Sequence, residues 1–570
     1  MNVFRCENYR ETRENENKVK SCTGALTLAA LAVASFISAS AVPSHAQLPT
    51  PTPLYGFQQE PTDVIEPSGP IAQGRDGNLY GTGVNRGANT RGGVFKITPS
   101  GTERLLVSFP NSFTEGSCLG LTLGMDGNFY GTCFGGGAHN FGLFYRVTPA
   151  GVLTDLYDFT VNGVGIQGAP VLGADGNFYG STSAGFYRIT PAGVYKNLFT
   201  LNGSIGDSLP SVLNAGSDGN FYGTIATASG VGNQGGVFRL TSAGAFKLIH
   251  GFDSSSPVGA GPSLGVTMGS DGNLYGTTGF GGANSNGTIY RMTTAGGAVT
   301  ALHNINNITE GANGTGGNGE DSENLLFQAS NGNFYGANFG GGSGNQGGLY
   351  ELTSKDVFSG FLFLAATNTT IGTNPGGPLM QHTNGTIFGI NNANGPNAAD
   401  GVFFSLNIGA SPFIRLVTPV YKGKEATQVG ILGQGFNSTS VVKFGGTTAT
   451  TKTLSGTTFI LATVPAGALT GKVTVTTGSA TVSTLAVFKV TPVAASFTPA
   501  SGVVGTTVTI TGTGLKQATK VTFNKIAAAT FTVKSDTQIT AMVPAGATTG
   551  TIVVTTTGGT AASAKAFTVN

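Results

Sequence analysis

The stretch Asp126–Thr132, DGNFYGT, decides the fold, because the chain spells nearly the same word seven times. It recurs as DGNLYGT from Asp76, DGNFYGS from Asp175, DGNFYGT from Asp218, DGNLYGT from Asp271, NGNFYGA from Asn331 and NGTIFGI from Asn384. Successive words start 50, 49, 43, 53, 60 and 53 residues apart. Self-similarity at this period marks a repeat architecture, so the fold is that of the unit multiplied.

Each unit carries a second shared word about 20 residues on: GGVFKITPSG from Gly92, LFYRVTPAG from Leu143, GFYRITPAG from Gly185, GGVFRLTSAG from Gly235 and GTIYRMTTAG from Gly287. A short apolar segment follows (RLLVSF to Phe109, TDLYDF to Phe159), and another precedes the DGN word (CLGLTLG from Cys118). Aromatic and β-branched residues without helical spacing read as strands. Asp-Gly suits one hairpin turn, and Thr-Pro-x-Gly another. Four antiparallel strands repeated seven times predict an all-β fold, a seven-bladed β-propeller; a solenoid is the rival. LYGF, Leu54–Phe57, is expected to complete the unit containing Asn384, with FIRLV from Phe413 as the competing choice.

After about Leu416 the vocabulary changes. Two copies of a Thr- and Val-rich unit appear, with VPAGA words at Val464 and Val543, 79 residues apart. Alternation in TVTITG and GTIVVTTT predicts two immunoglobulin-like sandwiches. Their G-x-G-[FL] corners and VPAG words resemble the IPT/TIG family, the first copy departing at Tyr421 and Lys422, where the second has Ala500 and Ser501. The seven N-terminal units resemble the GloVer-type extracellular tandem repeats, propeller proteins of bacterial surfaces. That resemblance rests on the DGNxYGT word followed by [VI][FY][KR][IL]T, and implies no catalytic residues. The expected domains are a signal peptide at 1–46, a spacer at 47–53, the propeller at 54–415, and IPT/TIG modules at 416–490 and 491–570.

Lys18 and Lys20, the apolar run from Ala25 to Ile37 and SHA before Gln47 read as an export signal, and the apolar run is short for a membrane span. Removing the five basic and four acidic residues of 1–46 from totals of 29 and 27 leaves 24 against 23. Without a basic excess there is no electrostatic case for nucleic acid or anionic membrane. The mature chain is therefore expected to be secreted or at the cell surface, without membrane insertion.

Outside the leader, Cys118 and Cys133 flank the Asp126 hairpin almost symmetrically. A disulfide is expected, with two small buried thiols as the alternative. Comparison between units adds a covariation. Asp in the turn accompanies a base about 20 residues on: Asp76 with Lys96, Asp126 with Arg146, Asp175 with Arg188, Asp218 with Arg239 and Asp271 with Arg291. Asn331 instead goes with Glu351, and Asn384 with Ser405. Structural ion pairs explain this, as does shared descent of five units.

The Gly/Asn-rich loops should gather on one face, where Phe134, Phe141, Phe280 and Phe339 would meet an extracellular glycan or protein; alternatively Gly and Asn only supply turns, with the rings packed between blades. Glu320, Asp321 and Glu323 offer oxygen ligands for calcium but lack EF-hand spacing, so a solvated loop, and no cofactor, is expected. There is no H-E-x-x-H, P-loop or Cys/His metal spacing, and His139, His250, His303 and His382 fall in four different units. Catalytic, cofactor and metal residues are accordingly none. The leading expectation is a binding protein on a stalk. The alternatives are a polysaccharide-acting hydrolase or lyase and a structural envelope protein.

Overall fold

The structure, a computed structural model, describes residues 48–570 except 59–63, 87, 88, 90, 114–117, 161–164, 202–211, 226–233, 254–256, 263, 264, 306–325, 339–346, 364–370, 394–400 and 418–420. The leader, the acidic segment at Glu320, Asp321 and Glu323, and Phe339 lie outside the described residues. Among the described residues every regular element is a β-strand.

Each DGN word lies in its own antiparallel sheet, and there are seven such sheets between residues 52 and 406. In the second, the strands Thr122–Leu123, Phe129–Cys133, Leu143–Val147 and Leu153–Asp158 follow one another in chain order. The hairpins form because Gly127, at φ 88°, supplies a left-handed residue next to Asp126. Gly77, Gly176, Gly219, Gly272, Gly332 and Gly385 repeat the device.

The sheets share cores in sequence around a closed circuit. Tyr80 packs with Phe129 and Tyr145, Tyr130 with Phe178, and Tyr179 with Phe221. Tyr222 packs with Leu274, Tyr275 with Phe334, and Tyr335 with Leu379 and Phe404. The last interface joins Phe388 and Phe403 of the seventh sheet to Leu79 and Phe95 of the first. The aromatics of the repeated word thus fill the seams, with ring centroids 4.0 Å apart for Tyr80–Phe129 and 4.1 Å for Tyr275–Phe334. Aromatic pairs of this kind contribute beyond the area they bury.

Thr52–Gly56 pairs antiparallel with Val402–Leu406, so the strand carrying Leu54 closes the seventh sheet from the opposite end of the chain. This strand begins inside the segment read as spacer. The competing segment goes elsewhere: Arg415–Leu416 pairs with Gln428–Leu432.

Glycine in the word answers to the strand opposite. A Cβ on Gly131 would lie 2.3 Å from the Tyr145 hydroxyl, and one on Gly180 would lie 2.2 Å from that of Tyr187. The second word's aromatic ring therefore lies over the first word's glycine. At the axis the first strands of neighbouring sheets meet backbone to backbone, with Gly69 donating to the Gly376 carbonyl at 3.1 Å and Leu121 to the Pro70 carbonyl at 3.1 Å.

Beyond residue 406 lie four sheets of four or five strands, and a two-stranded one that pairs Lys422–Gly423 with Lys489–Val490; they surround two cores, Val429, Ile431, Phe444, Ile460 and Val473 in a first sandwich and Val508, Ile510, Phe523, Ile539 and Val554 in a second. The first does not stand off from the ring as a stalk would. Its Thr458 hydroxyl donates to the Arg75 carbonyl, its Phe459 lies 4.2 Å under the Arg75 guanidinium, and its Gln434 donates to Thr383 at 2.8 Å. Leu123 packs against its Val417, Leu432 and Phe459. Its Tyr421 and Lys422 line a small cavity with Gly173 and Gly219. The first sandwich thus covers the DGN-turn end of the first, second, third, fourth and seventh sheets.

Candidate ligand-binding face

The acidic turns are the first place to look for chemistry. In five units the Asp carboxylate makes the same three bonds. One oxygen accepts the backbone N–H of the Asn two residues on, at 3.0–3.2 Å. The other accepts the Asn side-chain N–H at 2.6–2.8 Å. It also accepts the Tyr hydroxyl four residues on, at 2.6–3.0 Å. Burial pushes the carboxyls of Asp76, Asp218 and Asp271 up, but hydrogen bonds outweigh it and hold them below the usual range: from Lys96 first and then Asn78 and Tyr80 for Asp76, and from the Asn and Tyr of the word for the other two, with the Arg291 charge adding to them at Asp271.

The covariant bases stand directly across the strand pair from those tyrosines: Lys96 opposite Tyr80, Arg146 opposite Tyr130, Arg188 opposite Tyr179, Arg239 opposite Tyr222 and Arg291 opposite Tyr275. Among the described residues, the expected Asp–base contact forms only for Asp76 and Lys96, at 2.8 Å. Arg291 turns instead to Asp356 of the next unit. Asp76 and Lys96 thus form the expected pair, and the partners common to all five Asp are the Asn and Tyr of their own word.

The sixth and seventh units show what the covariation tracks. Tyr335 donates to Glu351 Oε1 at 2.7 Å, and the Asn333 side-chain N–H donates to the same oxygen at 2.7 Å. The carboxylate has moved from the turn to the opposite strand, taking the place of the base. The seventh unit has Phe388, with no hydroxyl, opposite Ser405, and Asn384 at the turn, so it carries neither acid nor base at these positions. One carboxylate accompanies each tyrosine of the word, and the network is structural.

The first strands of the sheets carry few ionisable groups. Among the described residues, the first strands of the seven sheets contain one carboxylate, Glu66, whose Oε2 accepts the Asn85 side-chain N–H at 2.6 Å. No group of three or more His, Cys, Asp or Glu among the described residues is arranged to hold a metal ion. His382 is buried, with one ring nitrogen 2.9 Å from the Gly77 carbonyl and the other accepting the Asn384 N–H at 3.2 Å. Burial lowers its pKa below the ordinary value. It braces the turns under the first sandwich. His250 and His303 pack on the aromatic rings of Phe252 and Phe358. Asp155 and Asp158 lie on one outer strand, where burial and then Asp158 raise the Asp155 pKa.

The opposite end of the sheets is different. The strand Phe129–Cys133 starts at the Asp126 turn, so Phe134 emerges at the far end, where it is 47% exposed. Phe280 ends the strand Asn273–Phe280 at the same end and is 45% exposed. It covers Gly261 of the first strand of its sheet, whose Cβ position lies 2.3 Å from the ring. Phe141, by contrast, packs against the core between the second and third sheets. The loops that carry the exposed rings are internally braced: Gly142 donates to the Gly136 carbonyl, and Gly136 to the Asn140 side chain at 3.0 Å. Gly287 bonds the Gly281 carbonyl in the same way. Cys118 and Cys133 are bridged at the base of the first loop, across an isolated strand pairing.

No curated protein matches the chain. Among solved structures it resembles the extracellular domain of a hybrid two-component system from B. thetaiotaomicron, at 11% identity and a TM-score of 0.42, covering 90% of this chain and 57% of that one. A fungal alcohol oxidase in complex with copper gives 13% identity and a TM-score of 0.39, covering 92% and 100%. A gluconolactonase from Xanthomonas campestris gives 10% identity and a TM-score of 0.33, covering 63% and 98%. The Gloeobacter/Verrucomicrobia repeat matches residues 45–187 and 165–326, and the IPT/TIG domain matches residues 492–569. The chain carries the Gloeobacter/Verrucomicrobia repeat over residues 45–326 and an IPT/TIG domain over residues 492–569.

Proposed function

We propose that the chain is a secreted or cell-surface binding protein: a seven-bladed β-propeller that presents its loop end to an extracellular glycan or protein, followed by two immunoglobulin-like sandwiches. The single observation that carries this reading is the asymmetry of the ring. One end is covered by the first sandwich, while the other holds Phe134 and Phe280 exposed on braced loops. Exposed aromatic rings held on a rigid scaffold are what stacking on a sugar face or a peptide side chain requires. Seven sheets with a closed circuit of shared cores support the propeller, and the strand from Thr52 to Gly56 supports ring closure. Export is supported by the apolar leader and by a cysteine pair suited to an oxidising compartment. Neither a metal nor a cofactor is needed for this role.

The test is a glycan and extracellular-protein screen of the mature chain, run with and without calcium. Ligands whose capture falls at least about tenfold in Phe134→Ala or Phe280→Ala, a loss of about 1.4 kcal/mol, support the reading. Catalytic turnover of a polysaccharide without such dependence would favour the enzyme alternative.

A further inference from the structure

The turn ends of neighbouring sheets are joined in two ways. In three seams a glutamine three residues before the DGN-type word reaches the turn of the preceding sheet. Gln328 Oε1 accepts the Ser270 N–H at 2.7 Å. Gln381 Oε1 accepts the Ser330 N–H at 2.7 Å, and its Nε2 donates to the Ser330 hydroxyl at 2.9 Å. Gln73 Oε1 accepts the Thr383 N–H at 3.1 Å, and its Nε2 donates to the Thr383 hydroxyl at 2.7 Å. The same position holds Leu123, Leu172, Ala215 and Met268 in the other four seams.

The Gln73–Thr383 junction lies where the first sheet meets the seventh, the sheet that Thr52–Gly56 completes by backbone pairing with Val402–Leu406. Here the first sandwich enters the junction. The Thr383 hydroxyl also accepts the Gln434 side-chain N–H at 2.8 Å and donates to the Gly433 carbonyl at 3.3 Å. A hydroxyl has one proton and two lone pairs, and this one uses all three: one bond to the first sheet and two to the sandwich. The sandwich holds each side separately as well. Its Thr458 hydroxyl donates to the Arg75 carbonyl in the turn of the first sheet, and its Arg415 guanidinium donates to the Gln381 carbonyl in the seventh at 2.7 Å. Gln73, His382 and Thr383 are buried at this junction.

We propose that the first sandwich is an intrachain clasp on the seam that closes the ring. Docked, it bridges the first and seventh sheets, so the seam opens only if the sandwich loses its hold on one of them. Opening then breaks the bonds across the seam together with those to the sandwich on that side, and leaves buried polar groups without partners. The two ends of the ring are thus held by the strand from Thr52 at one point and by the sandwich at another.

Hydrogen exchange of the full chain tests this, read on peptides covering Thr52–Gly56 and Val402–Leu406, with Phe178–Thr182 and Gly185–Ile189 of the third sheet as internal reference. Gln434→Ala removes a donor to Thr383, and protection of the closing pair should fall about fivefold, the effect of one lost hydrogen bond. Thr458→Arg places a long side chain where the Thr458 methyl lies 3.0 Å from the Cβ position of Gly77, and should lower protection further. The third sheet should stay at its parental level in both. Gln328→Ala, which breaks the junction between the fifth and sixth sheets, should leave the closing pair unchanged. Amides of Ile431 and Val473 report whether the sandwich is folded, and a variant that unfolded it would still have to loosen the closing pair. Parental protection there in both sandwich variants, or an equal fall in the third sheet, overturns the clasp.

Discussion

The Tyr335 hydroxyl donates a hydrogen bond to Glu351 on the facing strand at 2.7 Å, whereas that of Tyr80 donates to Asp76 four residues earlier at 2.8 Å. The tyrosine keeps its place in the repeat and the carboxylate changes strands. The unit keeps an acceptor for a buried tyrosine and an Asn side chain, whichever strand supplies it.

Glu351→Gln should therefore destabilise the chain by about 1.5–3 kcal/mol, the range for hydrogen bonds to a charged group. Adding Asn331→Asp rebuilds the arrangement of the other units and should recover most of that loss. Chemical denaturation of the single and double variants gives the coupling. Further destabilisation by Asn331→Asp in the double variant would contradict one carboxylate per tyrosine.

The second-word tyrosines behave oppositely. Tyr145, Tyr187 and Tyr290 are fully buried, and their hydroxyls have no hydrogen-bond partner. The equivalent residues in the first, fourth and seventh sheets are Phe95, Phe238 and Phe404. Replacing any of the three by Phe should leave stability unchanged or raise it, since an unsatisfied buried hydroxyl disappears. Tyr130→Phe, which strands an acceptor on Asp126, should lower it. Thermal unfolding of the four variants separates the two classes.

Gly131→Ala and Gly180→Ala place a methyl group against a ring in a packed seam and should cost about 1–3 kcal/mol. Gly165→Ala, whose nearest atom is a flexible Gln167 side-chain nitrogen at 3.7 Å, serves as the control and should lie within about 0.5 kcal/mol of the parent. Equal costs at all three positions would show that ring cover is not what the word's glycine serves.

His382 sets an acid limit. Its pKa is depressed in the folded chain, so the unfolded chain binds the proton more readily once pH drops below the ordinary value of 6.5. Stability should fall with decreasing pH through that window, and more gently in His382→Gln. Denaturation midpoints between pH 5 and 8 measure the difference. Parallel profiles in parent and variant would assign the acid limit to other groups, the depressed Asp76, Asp218 and Asp271 losing their contribution at lower pH still.

Much of the ring could be read from the chain because period, turn chemistry and strand pattern agree within every unit. Asp-Gly or Asn-Gly at the turn, aromatics in the seam and glycine under a ring are local signals repeated seven times. Even closure by the strand at Leu54 left a trace in its sequence. The covariation was visible, but its cause was not. The Asp finds its acceptor role four residues away in its own word, a partner that never varies among the five units and so gives no contrast. Glu351 was the informative exception. The seating of the first sandwich had no such trace: Thr458 meets Arg75 across 383 positions through a hydroxyl and a carbonyl, groups that carry no pattern. Phe134 and Phe141, seven residues apart on one loop, illustrate the remaining limit. One is exposed and the other packed, and composition alone treats them alike.

The loop end as the binding end is tested most directly by footprinting a ligand from the screen on the mature chain by hydrogen exchange. Protection is predicted in the loops that follow the DGN words, at 134–141 and 279–286, with the DGN turns and the first sandwich unchanged. Protection centred on the turn end, around Gly219 and Lys422, would contradict it.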